Sequence, residues 1–161
     1  MQVGSRTMYL WVAPDPGIRA VYRLALTEVR NILVAWSFCR ALRRKYGTYP
    51  SLVITDADIW YRWSLQRLDI RHEVLSGDVR SYVERSNETL KDRSRPFDKY
   101  QPCCKEGCDL VHVLNRAYLA TFWYNHARRH QSLGMRLPSE APSTDCSCWK
   151  IFVHRPVDVL S

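Results

Sequence analysis

A mixed α/β domain, with helices covering a sheet, is the fold class this sequence predicts. Three observations lead there. Short β-branched and aromatic runs alternate with stretches of helical periodicity, and the apolar run Leu52-Val53-Ile54 closes on Thr55-Asp56 as a buried strand would. The 161 residues, 46% hydrophobic, are enough for one core and too few for two comfortable ones. Residues 1–142 therefore read as one domain and 143–161 as a C-terminal tail of unknown role.

Met8-Tyr9-Leu10-Trp11-Val12-Ala13 is a β-rich run closed by the turn signal Pro14-Asp15-Pro16-Gly17, and Ile18 to Leu26 returns as the second arm of a hairpin. Thr27 is placed to cap a helix whose apolar positions Val29, Ile32, Leu33, Trp36 and Cys39 follow i, i+3, i+4, i+7 spacing. Basic Arg40, Arg43, Arg44 and Lys45 near its end, with Gly47 just beyond, suit a helix C-terminus. Tyr49-Pro50 breaks the chain and launches Ser51 to Thr55, whose hydrophobicity is continuous and so predicts a central strand. Ile59 to Leu68 reads as a short helix with Trp60 and Trp63 on one side, and Asp69 to Val74 as a short extended piece. Ser76-Gly77-Asp78 opens a helix reaching Asp92; Val79, Tyr82, Val83, Ser86 and Leu90 form its inward face, with Glu84 beside that face. Ser94 to Gly107 is a loop, followed by a long helix carrying Leu110, Val113, Leu114, Ala117, Tyr118 and Thr121.

Lys and Arg number 24 against 16 Asp and Glu, a formal charge of +8 that suits a polyanion such as DNA or RNA, or serves solubility alone. No apolar run is long enough to span a membrane and no signal-peptide core opens the chain, so the expectation is an intracellular, cytoplasmic protein. Six cysteines without a secretory signal read as reduced thiols. Cys39 falls on a helix stripe, while Cys103, Cys104, Cys108, Cys146 and Cys148 flank loops at spacings that match no common zinc pattern closely.

The acids carry the chemistry. Asp56 stands at a strand end and Glu84 on a helix, and two or three carboxylates from different elements suffice for Mg²⁺ or Mn²⁺, which take oxygen ligands and keep several waters. A pair of such ions can activate a nucleophilic oxygen and stabilise a leaving one in phosphoryl transfer. On placement alone the signal is weak, since a strand-end Asp is often a helix cap and a helical Glu is usually solvated.

Tyr9-Leu10-Trp11-Val12-Ala13-Pro14-Asp15-Pro16, Val53-Ile54-Thr55-Asp56 with Trp60-Tyr61-Arg62-Trp63, Val83-Glu84-Arg85 with Thr89 to Arg93, and Trp123-Tyr124-Asn125-His126 with Arg128, His130 to Gly134 and Pro138 follow one another in an order and spacing that resemble a DDE transposase, more narrowly the archaeal-type insertion-sequence enzymes. The resemblance covers residues 1 to about 142 and is most specific in the tyrosine-asparagine to leucine-glycine block. It implies a ribonuclease-H-like mixed sheet flanked by helices and three acidic residues holding two Mg²⁺ or Mn²⁺ ions that cut a DNA strand and join its end to a target. Asp56 matches the second acid and Glu84 the third, with Glu88 one turn on as the alternative; Lys91, Arg93 and Arg95 follow as DNA contacts. Partners so implied are transposon ends, target DNA, and a second copy or a full-length transposase.

The pattern departs at the start. The family's first acid lies on an opening strand ahead of the tyrosine-leucine-tryptophan segment, and no acid precedes Asp15 here. Asp15 matches a structural aspartate instead. The expectation is a core with a truncated first strand, inactive by itself, or else a noncatalytic DNA-binding or transposase-interacting protein. Arg128, Arg129 and His130 read as fasteners of the last helix or as phosphate contacts, and His72 and His112 as histidines without an evident partner.

Overall fold

The computed structural model describes residues 2–3, 6–56, 58–74, 110–141, 148–150 and 152–154. In order these form β1 (Gln2–Val3), β2 (Arg6–Thr7), β3 (Tyr9–Pro14), β4 (Val21–Thr27), α1 (Ile32–Tyr46), β5 (Leu52–Thr55), α2 (Ile59–Gln66), β6 (His72–Val74), α3 (Leu110–His126), two 3₁₀ turns (Gln131–Leu133 and Pro138–Glu140), β7 (Cys148–Lys150) and β8 (Phe152–His154). The helix expected over Asp78 to Asp92 and the loop after it lie outside the described residues.

β3 and β4 form the expected hairpin, antiparallel from Tyr9↔Thr27 to Ala13↔Arg23, with a bulge at Pro14. The return strand begins at Val21, not Ile18, because buried Asp15 ties up the turn. Its Oδ1 accepts from the Gly17 and Ile18 amides at 2.7 and 3.2 Å, and its Oδ2 accepts from the Tyr22 hydroxyl at 2.9 Å. With its acceptors so occupied, Asp15 is structural, as the sequence suggested. Tyr22 is held protonated, its pKa raised first by burial and then by this hydrogen bond.

Among the described residues the strands form two three-stranded sheets, ordered β4-β3-β8 and β6-β5-β7, beside the small β1-β2 pair. β5 is central as expected, parallel to both neighbours. Its burial alternates, with Val53 and Thr55 fully covered, so one of its faces is the more deeply packed. The C-terminal segment, for which the sequence offered no role, joins the sheets: β7 runs parallel to β5, β8 runs antiparallel to β3, and only Ile151 separates the two pieces. One stretch of chain is thus laid between the strand of Trp11 and the strand that leads to Asp56.

α1 lies on this sheet, with a start and a face that differ from expectation. Asn31, not Thr27, caps it, accepting from the Val34 amide at 2.9 Å. Thr27 instead ends β4, where its hydroxyl accepts from Trp11 Nε1 at 2.8 Å and donates to the Val29 carbonyl. The buried stripe is Ala35, Phe38, Cys39 and Leu42, whereas Val29, Ile32 and Leu33 are exposed. Both stripes satisfy the same helical spacing, and Cys39 belongs to each; only the sheet's position selects between them. Gly47 closes the helix at φ +80°, with its amide donating to the Arg43 carbonyl at 2.7 Å.

The main core gathers Trp11, Phe38, Leu42, Val53, Tyr61 and Leu65 from β3, α1, β5 and α2. Not every tryptophan belongs to it. Trp63 is 54% exposed, because α2 turns Tyr61, Ser64 and Leu65 inward. On α3 the inward residues are Val113, Ala117, Thr121 and Tyr124, while Tyr118 is half exposed. No described helix is long and apolar enough to cross a membrane.

Candidate metal and DNA site

Asp56 leaves β5 at the strand's C-terminal end, half-buried, which is where a parallel strand presents a carboxylate to a crevice. The residue before it fixes its backbone. Thr55 is fully buried and donates its single hydroxyl proton to the Asp56 carbonyl at 2.8 Å. The same oxygen lies 2.7 Å from His72 Nε2, so it must accept there and His72 must carry its proton on Nε2. His72 is brought alongside by the parallel β5–β6 register, which pairs Val53 with His72. No partner for this histidine was evident from the sequence. Finding it requires the alignment of two strands nearly twenty residues apart, which local patterning does not encode.

Around Asp56 the charges are sorted. Asp58 pairs with Arg30 at 3.8 Å, and the Arg30 guanidinium sits over Trp60 at 4.9 Å and Tyr9 at 5.4 Å. Asp58 is therefore engaged by a stacked cation. Tyr61 is kept protonated mainly by burial, and next by the nearby Asp56 and Asp58 carboxylates.

His72 has its pKa lowered from 6.5 by burial and then by Arg62; His130 is lowered likewise by burial, then by Arg128 and Arg19. Both rings are neutral in the folded protein at pH values where the unfolded chain already binds protons. Their contribution to stability is therefore present above pH 6.5 and is lost as pH falls through the folded values. Urea unfolding is expected to give a lower stability at acidic than at neutral pH, and His72→Gln with His130→Gln should flatten that slope. An unchanged slope in the double variant would mean that other groups govern it.

The tyrosine-asparagine block works as a clasp. Asn125 Oδ1 accepts from the Val21 amide and Nδ2 donates to the Val21 carbonyl, both at 2.9 Å, so one side chain completes the backbone pairing of an outer strand. His130 packs edge-on to buried Tyr124 at 4.9 Å, with Arg128 over the same ring at 5.5 Å. Arg129 donates to the Met135 carbonyl at 3.1 Å. These residues fasten the end of α3, in agreement with their structural reading.

Of the candidate site residues, Asp56 is placed, while Glu84, its alternative Glu88, and Lys91, Arg93 and Arg95 lie outside the described residues. Among the described residues no three His, Cys, Asp or Glu side chains converge as a metal site. Asp56 supplies the hard oxygen donor that Mg²⁺ or Mn²⁺ prefers. Cys39 is a buried core thiol whose pKa is pushed up to about 12 by burial. Cys103, Cys104, Cys108 and Cys146, the other zinc candidates, are outside the described residues, and Cys148 is placed only by its backbone in β7.

No protein-family model matches the chain. An uncharacterized protein of Methanocaldococcus jannaschii is 26% identical over 97 residues, which cover 60% of this chain and 45% of that protein. The chain thus spans less than half the length of that relative. Among solved structures, the HTLV-2 integrase catalytic core domain in complex with magnesium superposes with a TM-score of 0.62 at 15% identity, covering 88% of each chain. The BIV integrase catalytic core domain gives 0.61 at 20% identity, over 86% of this chain and 87% of that one. A chain of the simian T-cell lymphotropic virus intasome, solved with the PP2A regulatory subunit B56 gamma, gives 0.61 at 19% identity, over 86% of this chain and 49% of its counterpart. The chain therefore has the mixed α/β, ribonuclease-H-like fold of integrase catalytic cores.

Proposed function

We propose that this chain is the catalytic-core part of a DNA strand-cleaving and strand-joining protein of the DDE transposase class, with Asp56 and Glu84 as ligands of a divalent-metal site and Lys91, Arg93 and Arg95 as contacts to the DNA passing it. The observation that carries this reading is the position of Asp56, a half-buried carboxylate at the exit of a central parallel strand, in a fold that matches integrase cores. The magnesium in the HTLV-2 core structure supports the choice of ion. When bound, such ions neutralise charge on the transferring phosphate. The protein's own part is to hold Asp56 in place, through Thr55 and His72, and to keep Asp58 occupied by Arg30.

The narrower reading is that the 161-residue chain binds DNA without transferring strands by itself. The described neighbour of β5 on that side, Cys148-Trp149-Lys150, contains no carboxylate, and none precedes Asp15 in the sequence. Removing one member of a group that acts as a unit commonly costs orders of magnitude in rate.

Mn²⁺ binding followed by electron paramagnetic resonance tests the site. Weak binding that disappears in Asp56→Asn and in Glu84→Gln is expected, and binding indifferent to both changes would remove these residues from the metal. Incubation with terminal-repeat DNA and Mg²⁺ tests the narrower reading, which strand-transfer products from the purified chain would overturn.

A further inference from the structure

The C-terminal end of α1 carries more positive charge than its helix requires. Arg40, Arg43 and Arg44 line an open cavity of 280 Å³ with Gly47 and Tyr49. A helix C-terminus carries roughly half a negative unit charge, which a single cation offsets. The ion pairs among the described residues are Arg6–Glu28, Arg30–Asp58 and Arg71–Glu73, and none engages these three guanidinium groups. Two of the three are held by aromatic rings. Arg40 lies 4.5 Å from the centroid of Trp36, and Arg43 lies 4.9 Å from that of Tyr49. Stacking fixes the plane of a guanidinium fork before a ligand arrives and leaves its N–H edges to donate, which lowers the entropy cost of binding an oxyanion.

We propose that Arg40, Arg43 and Arg44 form a phosphate-binding site for the backbone of duplex DNA, separate from the Asp56 site. Tyr49 precedes β5 and Asp56 follows it, so the two sites lie toward opposite ends of that strand. Four residue steps from Leu52 to Asp56 alone amount to about 13 Å. A phosphate at the arginines is thus a different phosphate from one at Asp56. The site extends the DNA reading above to a second point on the duplex, and its binding does not depend on Asp56.

The test is fluorescence anisotropy of the full chain with a labelled duplex of arbitrary sequence, across a salt series. The triple change Arg40→Gln, Arg43→Gln, Arg44→Gln should weaken binding and make the slope of log affinity against log salt shallower, by about 0.9 for each phosphate no longer neutralised and about 2.7 for all three. Arg6→Gln, Arg71→Gln, Arg116→Gln removes the same formal charge elsewhere and should change affinity and slope much less. An equal weakening in that control would mean diffuse attraction with no site at α1, and so would an unchanged slope in the first triple. Should the first triple unfold, the three single changes carry the test: each should reduce the slope by about 0.9, and three unchanged slopes would overturn the proposal. Tighter binding of single-stranded RNA than of duplex DNA would overturn the choice of ligand. Mn²⁺ binding measured without DNA reads the Asp56 site separately, so failure of this site and failure of the catalytic reading are told apart.

Discussion

Trp11→Ala is expected to lower the free energy of unfolding by about 3–5 kcal/mol, the range for removing a buried large aromatic. Trp11 is wholly inaccessible to solvent and sits where three elements meet. Its ring centroid is 5.8 Å from Phe38 on α1 and 6.0 Å from Tyr61 on α2, the latter in an edge-on arrangement. Its Nε1 also donates to Thr27 Oγ1 at 2.8 Å, linking β3 to the end of β4. Alanine would open a void that β3, α1 and α2 cannot all close, since each is tied separately into the fold. At about 2–4 °C per kcal/mol for a chain of this size, the thermal midpoint should drop by roughly 6–20 °C. Circular dichroism during heating measures it, and a fall of less than about 1 kcal/mol in urea unfolding would contradict the packing described for this core.

Lys150→Pro is expected to be the second most damaging change, although it lies in the C-terminal stretch to which the sequence assigns no role. Lys150 pairs with Ile54 in the parallel register of β7 on β5, and the same stretch continues as β8 on β3. β7 is the outer strand of its sheet, so proline there acts through the loss of the amide proton on the side that faces β5. Each ladder partner left unsatisfied costs about 1–3 kcal/mol, and the ring adds a steric penalty. Because β5 leads directly into Asp56, a loosened β7 should also reduce Mn²⁺ binding at that residue. Hydrogen exchange in the intact chain provides the check: the amides of 148–154 should be protected to a degree comparable with β3 and β5 in the parent protein, and exchange quickly in the variant. A midpoint unchanged by the proline would show that this strand contributes nothing to the sheet.

The hairpin, the central strand ending at Asp56, and the helices after Asn31 and before Leu68 were legible because each is written in local periodicity and turn chemistry. The face of α1 was not. Val29, Ile32, Leu33 and Trp36 form as regular an apolar stripe as Ala35, Phe38, Cys39 and Leu42, and a helix cannot state which stripe meets a sheet. The cap was misassigned for a related reason: Thr27 is engaged by Trp11 across the hairpin, which leaves the capping to Asn31. At the candidate site, the carboxylate of Asp56 was readable from its place at the end of an apolar run, whereas the Thr55–His72 hydrogen bond that steadies it was not.

By itself the amino-acid order determined the fold class, the excess of positive charge and the place of Asp56 at a strand exit. Tertiary structure alone decided that Cys148–His154 lies between β3 and β5, that His72 reaches Thr55, and that the arginines of α1 gather around an open cavity. The physical reason is range. Helical and strand periodicities are set by neighbours within a turn or a pleat, while a place in a sheet is set by which backbone donors and acceptors remain unpaired once the other strands have assembled.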